Sequence, residues 1–277
     1  MADVSSQSGL IVIPARFGSS RLPGKPLLHI AGYTLLERVV GVARRAATTA
    51  ANIAIIVATD DAQIEAHAIE LGCDCIMTSS TISSGTSRAY AAAATLPQTP
   101  EIIVNLQGDA PFVPTDTIAT LITAARTTVA AVTTPVVRLG WDDLDRMREH
   151  KRGSPFSGTT CVRAEDGRAL WFSKAIIPTI RDEETRRLQE PVSPVFRHLG
   201  LYAYRFDALE RFERTPPSHY EGLEGLEQLR FLEMGLAIQT VEITPPRHAM
   251  SGIDTQADIA LAEELIGRLG DPHIPWR

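Results

Sequence analysis

Between Pro14 and Leu27 the chain packs three cations, Arg16, Arg21 and Lys25, among two glycines, two serines and three prolines. Glycine lets backbone amides approach an anion closely, and the basic side chains neutralise it. A loop of this make-up is suited to holding phosphates. It is not a Walker loop, because Gly24-Lys25 is followed by Pro26 where a helix with Ser or Thr would have to begin. A second stretch, Gln107-Gly108-Asp109-Ala110-Pro111, offers a carboxylate directly after an apolar run. Magnesium is usually held by one or two carboxylates plus phosphate oxygens. Asp109 is the first candidate ligand, and Asp254 in Ser251-Gly252-Ile253-Asp254-Thr255 is the second. Both have plainer uses. Asp109 fits a turn, and Asp254 precedes a helical stretch that it could cap.

The elements around these stretches explain how they would meet. Leu10–Ile13, Ile53–Ala58, Cys73–Met77, Ile102–Leu106 and Val129–Thr134 read as short buried strands. Between them lie helical patterns at Thr34–Ala47, Ile64–Leu71, Ser83–Ala94 and Thr115–Ala125. Asp60 or Asp61 is a natural N-cap and Gly72 a natural C-terminal stop for the second of these. Strict alternation implies an α/β fold with a parallel sheet covered on both faces. In such sheets ligands bind outside the carboxyl ends of the strands, where both chemical stretches fall. After Pro135 the rhythm changes. Thr159–Ala164 and Arg168–Phe172 flank Asp166-Gly167 as a hairpin, and Arg181–Pro194 reads as a mobile charged loop. Leu199–Tyr204 and Ile238–Ile243 read as strands, Gly222–Met234 as a helix, and Thr255–Ile266 as a last helix closed by Gly267. The expectation is one domain over 1–277, with an inserted hairpin region at about 135–205.

Composition narrows the class. The 277 residues are 44% hydrophobic and carry a net charge of −6, ample for a core and unpromising for sequence-tolerant nucleic-acid binding. The segment MADVSSQSGLIVIPAR has no basic n-region and no long apolar run, so neither a signal peptide nor a membrane span is expected. Cys73, Cys75 and Cys161 cannot all pair, which suits a reducing cytoplasm. A Rossmann dehydrogenase is disfavoured, since no Gly-x-Gly-x-x-Gly follows the first strand.

The motifs resemble a known family. IVIPARFGSSRLPGKPL resembles the signature of sugar nucleotidylyltransferases. VATDDAQIEAHAIELGCDCIMTSS, SSGTSRAYAAA, IIVNLQGDAPFVP, ALWFSKAIIP, FRHLGLYAYR, LEGLEQLRFLEMG and SGIDTQADI then follow in the order found in CMP-Kdo synthetases, the 3-deoxy-manno-octulosonate (Kdo) cytidylyltransferases. The likeness runs from about Leu10 to about Ile266, and RHLGLYAYR with LEQLR is more specific to the Kdo branch than the first motif. It implies a Rossmann-like nucleotide-diphospho-sugar transferase fold, with the inserted hairpin region forming a homodimer interface. It implies CMP transfer from CTP to Kdo with magnesium, in the cytoplasm, for lipopolysaccharide biosynthesis. Arg16 and Lys25 would grip the CTP phosphates with Arg21 close by, and Ala15, Ser84, Gly85, Thr86, Arg88 and Gly108 would line the nucleotide pocket. Asp109 and Asp254 would hold magnesium. Gln107, Lys174, His198, Tyr202, Glu227 and Gln228 would face the sugar.

The chain departs from that pattern at several places. Ser87 stands where an acidic residue is common, Ala110 where Glu or Gln is frequent, and Lys174 where Arg is usual. SPFSGTTCVR lacks a lysine common in the corresponding strand. A lysine has no planar fork, so carboxylate recognition at position 174 would differ in kind. Read from the residues alone, His198 could be an ordinary hydrogen-bonded histidine. Tyr202 and Tyr204 share one strand face, and Glu227 and Gln228 could be a polar helix face. A cytidylyltransferase for sialic acid or another ulosonic acid, and a catalytically inactive nucleotide-binding homologue, remain as alternatives.

Overall fold

The first strand, β1 (Gly9–Ala15), is apolar at successive positions because both of its faces are buried. Ile11 and Ile13 point into one core and Leu10 and Val12 into another. These contacts belong to a computed structural model, which describes residues 9–18, 22–50, 52–248, 250 and 252–273. After β1 come a 3-10 turn at Lys25–Leu27, the small hairpin β2 (His29–Ile30) and β3 (Tyr33–Thr34), and α1 (Leu35–Thr49). The alternation continues as β4 (Ile53–Thr59), α2 (Ala62–Glu70), β5 (Asp74–Met77), α3 (Gly85–Ala94), β6 (Ile102–Asn105), α4 (Thr115–Thr127) and β7 (Val132–Arg138). The rest is α5 (Trp141–Gly153), β8 (Thr159–Arg163), β9 (Ala169–Ser173), α6 (Glu183–Gln189), β10 (Phe196–His198), β11 (Tyr202–Arg205), α7 (Phe206–Arg214), α8 (His219–Glu224), α9 (Gln228–Glu233), β12 (Ile238–Glu242) and α10 (Gln256–Leu269).

The main sheet runs β5-β4-β1-β6-β11-β7-β10-β8-β9, with β12 also paired to β7. The β5-β4-β1-β6 half is parallel throughout, as strict alternation requires. In the second half β11 runs antiparallel between β6 and β7, and β10, β8 and β9 are antiparallel neighbours. Helices α1, α4 and α10 cover one face, and α3, α7 and α9 the other. The fold is the mixed α/β architecture expected from the alternation. No helix among the described residues is long and apolar enough to cross a membrane.

The structure corrects several sequence readings after residue 129. Strand β7 continues through Pro135 to Arg138. The charged stretch 181–194 is not a simple loop, for it contains α6. Glu183 accepts from Arg148 on α5 at 2.7 Å, and Arg187 donates to Asp145 at 2.6 Å. Helix α5 itself has only Leu144 buried, so it leaves no apolar periodicity to read. The expected helix Gly222–Met234 is two short helices, broken where Gly225 takes φ 62°. Pairing divides Leu199–Tyr204, with β10 ending at His198 and β11 starting at Tyr202. The last helix runs through Gly267 and ends at Gly270. The cysteines are free thiols, and burial pushes Cys73 up to about 11 and Cys75 and Cys161 up to about 12.

Candidate active site

Adjacent pairing of β1 and β6 puts the loops after both strands side by side. The register sets Val12 opposite Asn105, and the Leu106 amide then donates to Val12 carbonyl at 3.0 Å. Gly108 follows at a close backbone approach. A Cβ there would lie 2.4 Å from the Pro14 carbonyl oxygen, so only glycine fits. That contact delivers Asp109 to the loop after β1. Asp254 arrives from the C-terminal side, where the Ile253 amide donates to Asp109 carbonyl at 2.9 Å. Capping is not the use of its carboxylate. Thr255 is the N-cap of α10, and Asp258 completes the capping box.

Lys25 joins the two aspartates. Its Nζ donates to Asp109 Oδ2 at 2.8 Å and to Asp254 Oδ1 at 3.1 Å. The lysine begins the 3-10 turn after Gly24, whose φ is 65°, with Pro26 buried behind it. Lys25 therefore sits in a fixed turn. Arg16 Nη1 donates to Ser83 carbonyl at 3.3 Å. Arg21 lies outside the described residues. Ser84 caps α3 by accepting from Ser87 N, and Ser84 and Gly85 line the same space as Lys25, where a helix N-terminus favours anions. Position 87 thus contributes a backbone donor, where the resemblance would have placed a carboxylate. Arg88 is 2% exposed and its terminal nitrogens are engaged. They donate to Asp60 Oδ2 at 3.0 Å, to Ile82 carbonyl at 2.9 Å and to Thr78 Oγ1, so Arg88 braces the wall. These groups surround a cavity of about 210 Å³ lined by Ala15, Arg16, Lys25, Ser84, Gly85, Arg88, Gln107, Gly108, Asp109 and Asp254.

A larger cavity of about 780 Å³ adjoins it and shares Gln107 and Asp254 with it. Lys174, His198, Tyr202, Glu227 and Gln228, five of the six residues expected to face the sugar, line it together with the sixth, Gln107. Tyr202 hydroxyl donates to Gln228 Oε1 at 3.0 Å, while Gln228 Nε2 is buried with no partner among the described residues. That leaves amide donors for a ligand oxygen. Glu227 accepts from Thr86 Oγ1 at 2.6 Å, which places Thr86 behind the larger cavity, away from the lining of the smaller one. Tyr204, 2% exposed and stacked on Phe231 at 5.5 Å, is the core member of the tyrosine pair.

His198 is 8% exposed, and burial, with the Lys174 ammonium adding to it, pulls its pKa down to about 3. It is neutral at working pH. Thr134 donates its single proton to Leu201 carbonyl at 2.8 Å, so the 2.9 Å contact with His198 must be donated by Nε2–H. Nδ1 is then an acceptor. Burial also lowers the Lys174 ammonium, and Glu224 opposes the shift. Two residues that the sequence did not single out complete this wall. Arg197 lines the larger cavity from inside the FRHLG motif. Lys151 donates to the carbonyls of Lys174 at 2.6 Å, Gly158 at 3.1 Å and Ser157, so a lysine from α5 ties down the segment where the strand lysine is missing. Nothing in the charged sequence of α5 distinguishes Lys151 from its neighbours, whereas Arg197 could have been found from its motif.

Among the described residues no three His, Cys, Asp or Glu side chains converge as a metal-binding group. Two carboxylates do converge, at Asp109 and Asp254. That donor set fits magnesium, which takes one or two carboxylates and completes its shell with water and substrate phosphates.

A family model described as Cytidylyltransferase matches residues 10–238. A 3-deoxy-manno-octulosonate cytidylyltransferase of Maricaulis maris is 37% identical over 265 residues, covering 95% of this chain and 99% of that one. One from Xylella fastidiosa is 40% identical over 263 residues, covering 93% and 98%. The solved structure of a CMP:2-keto-3-deoxy-manno-octonic acid synthetase complexed with CTP matches with TM-score 0.81 at 33% identity, covering 95% of this chain and all of that one. A 4-diphosphocytidyl-2C-methyl-D-erythritol synthase from Anaerococcus prevotii shares the fold at TM-score 0.60 and 14% identity.

Proposed function

We infer the function from one premise: the chain belongs to the cytidylyltransferase family. It is an enzyme that transfers CMP from CTP to 3-deoxy-manno-octulosonate and releases pyrophosphate. The observation that carries the reading is the pair of adjoining cavities meeting at Gln107 and Asp254. The smaller one is basic and capped by a helix N-terminus, and suits a triphosphate. The larger one offers the amide of Gln228, the acceptor nitrogen of His198 and the ammonium of Lys174 to a polyhydroxy acid. At their junction the anomeric hydroxyl meets the α-phosphate. Its oxygen attacks phosphorus in line, the bond to pyrophosphate breaks, and the hydroxyl proton passes to water.

Such transfers depend mainly on positioning and charge stabilisation. Arg16 and Lys25 offset charge on the α-phosphate and the leaving pyrophosphate. Gly108 and the first turn of α3 bring backbone amides to the phosphates. Asp109 and Asp254 would hold magnesium, which when bound would supply positive charge to the phosphates and favour loss of the sugar hydroxyl proton. Neutral His198 orients the sugar and does not exchange its proton. Homodimer formation and a cytoplasmic setting belong to the same reading.

Pyrophosphate release with CTP and magnesium, with Kdo and sialic acid offered separately, tests this function. Release with Kdo alone is expected. Release with sialic acid alone would overturn the substrate, and no release with either, despite CTP binding, would overturn catalysis.

A further inference from the structure

We propose that Lys25 is an internal counter-ion that keeps the Asp109–Asp254 pair closed to divalent cations until a nucleotide triphosphate draws it away. The inference rests on the reading of these two aspartates as metal ligands. The ammonium donates to Asp109 Oδ2 at 2.8 Å and Asp254 Oδ1 at 3.1 Å, so it stands between the two carboxylates that a cation would have to bridge. Magnesium requires oxygens at about 2.0–2.1 Å in near-octahedral order. The exclusion is a matter of charge: an ammonium within about 4 Å of a divalent cation is repelled with twice the force of a unit pair, and a partly buried site screens that poorly.

One partner must move, and the packing decides which. Asp109 is clamped by the amide of Ile253 on its carbonyl and by the close passage of Gly108 under Pro14. Asp254 is held through its amide, which donates to Asp258 Oδ2 at 2.9 Å. The backbone of Lys25 is equally fixed, since Leu28 N donates to its carbonyl at 3.2 Å. Its side chain is a flexible four-carbon stem with three rotatable donors. The side chain is therefore the moving part. It already lines the small cavity beside Arg16 and Ser84, where triphosphate oxygens would compete for it. A triphosphate entering there does two things together. It draws the ammonium off the two carboxylates, and it contributes the oxygens that two carboxylates alone lack. Cation and nucleotide then load cooperatively, and the protein without nucleotide holds divalent cations weakly.

The test is Mn2+ binding to the full chain without nucleotide, read from the electron paramagnetic resonance signal of free Mn2+. Lys25→Met and Lys25→Gln should each bind Mn2+ at least about tenfold tighter than the unaltered protein. Lys25→Arg, which keeps the charge, should not. Adding Asp109→Asn to either neutral variant should abolish the gain. If both neutral variants bind no tighter while Asp109→Asn still weakens binding, the counter-ion role is wrong and the metal pair stands. If Asp109→Asn changes Mn2+ binding in no background, the metal pair and the proposal fall together.

Discussion

Asp109 accepts from Lys25 through one carboxylate oxygen, and its backbone is pinned by Ile253. Asp109→Asn keeps the shape and removes the charge. Turnover should fall at least about a hundredfold, the scale for one preorganised electrostatic group, and the magnesium requirement should rise. Steady-state rates across a magnesium series check this, and near-normal turnover at the normal requirement would contradict it. His198 makes a different prediction, on stability. Its folded pKa of about 3 lies below the ordinary 6.5. Between those values the unfolded chain binds a proton that the folded chain does not. Stability therefore rises with pH through this window and is lost as pH falls through it. His198→Asn should flatten that slope by up to about 1.4 kcal/mol per pH unit, as measured by urea unfolding from pH 4 to pH 6. An unchanged slope would mean that His198 is charged in the folded protein.

Elements place these residues, and the β1–β6 pairing is the most demanding contact. Gly108→Ala would push a methyl group against the Pro14 carbonyl, 2.4 Å away. Overpacking of this kind costs about 1–3 kcal/mol, and here it would also displace Asp109. The KM for CTP should rise and the melting temperature should fall together. A thermal shift without a change in KM would separate the two loops. The elements carrying Lys25 and Asp109 were legible in the sequence because β1, β4 and β6 are buried on both faces and their flanking helices have regular apolar spacing. Legibility ends where burial does. Helix α5 buries one side chain and α6 none, and both stand on ion pairs such as Arg148–Glu183, which leave no periodic trace. Likewise the position of Lys25 was readable as a basic residue in a glycine-rich loop, but its pairing with Asp254, 229 residues away, was not. The polar residues that line the larger cavity were named only through resemblance. Their types alone fit a buried histidine, a strand tyrosine and a polar helix face equally well.

At the scale of the whole molecule, the first helix is clasped to the segment that follows the last one. Arg38 on α1 is 1% exposed and forks onto Asp271 at 2.8 and 3.0 Å, while also donating to Ile30 carbonyl at 2.9 Å. This clasp fixes the segment after α10, the helix whose N-terminal approach carries Asp254. Asp271→Asn leaves a buried guanidinium short of its counter-charge and should destabilise the protein by roughly 2 kcal/mol, a partly exposed case of a broken buried pair. Thermal unfolding checks this, and an unchanged midpoint would show that the clasp is dispensable. The sheet, its two cores and the clasp together hold two cavities so that they meet at one place, and the central claim is that CMP crosses there to the anomeric oxygen. The direct measurement is the 31P spectrum of the product formed from CTP and Kdo carrying 13C at its anomeric carbon. A phosphodiester phosphorus coupled to that carbon is the predicted result. Pyrophosphate release accompanied by free CMP, or by a phosphodiester with no such coupling, would contradict the account.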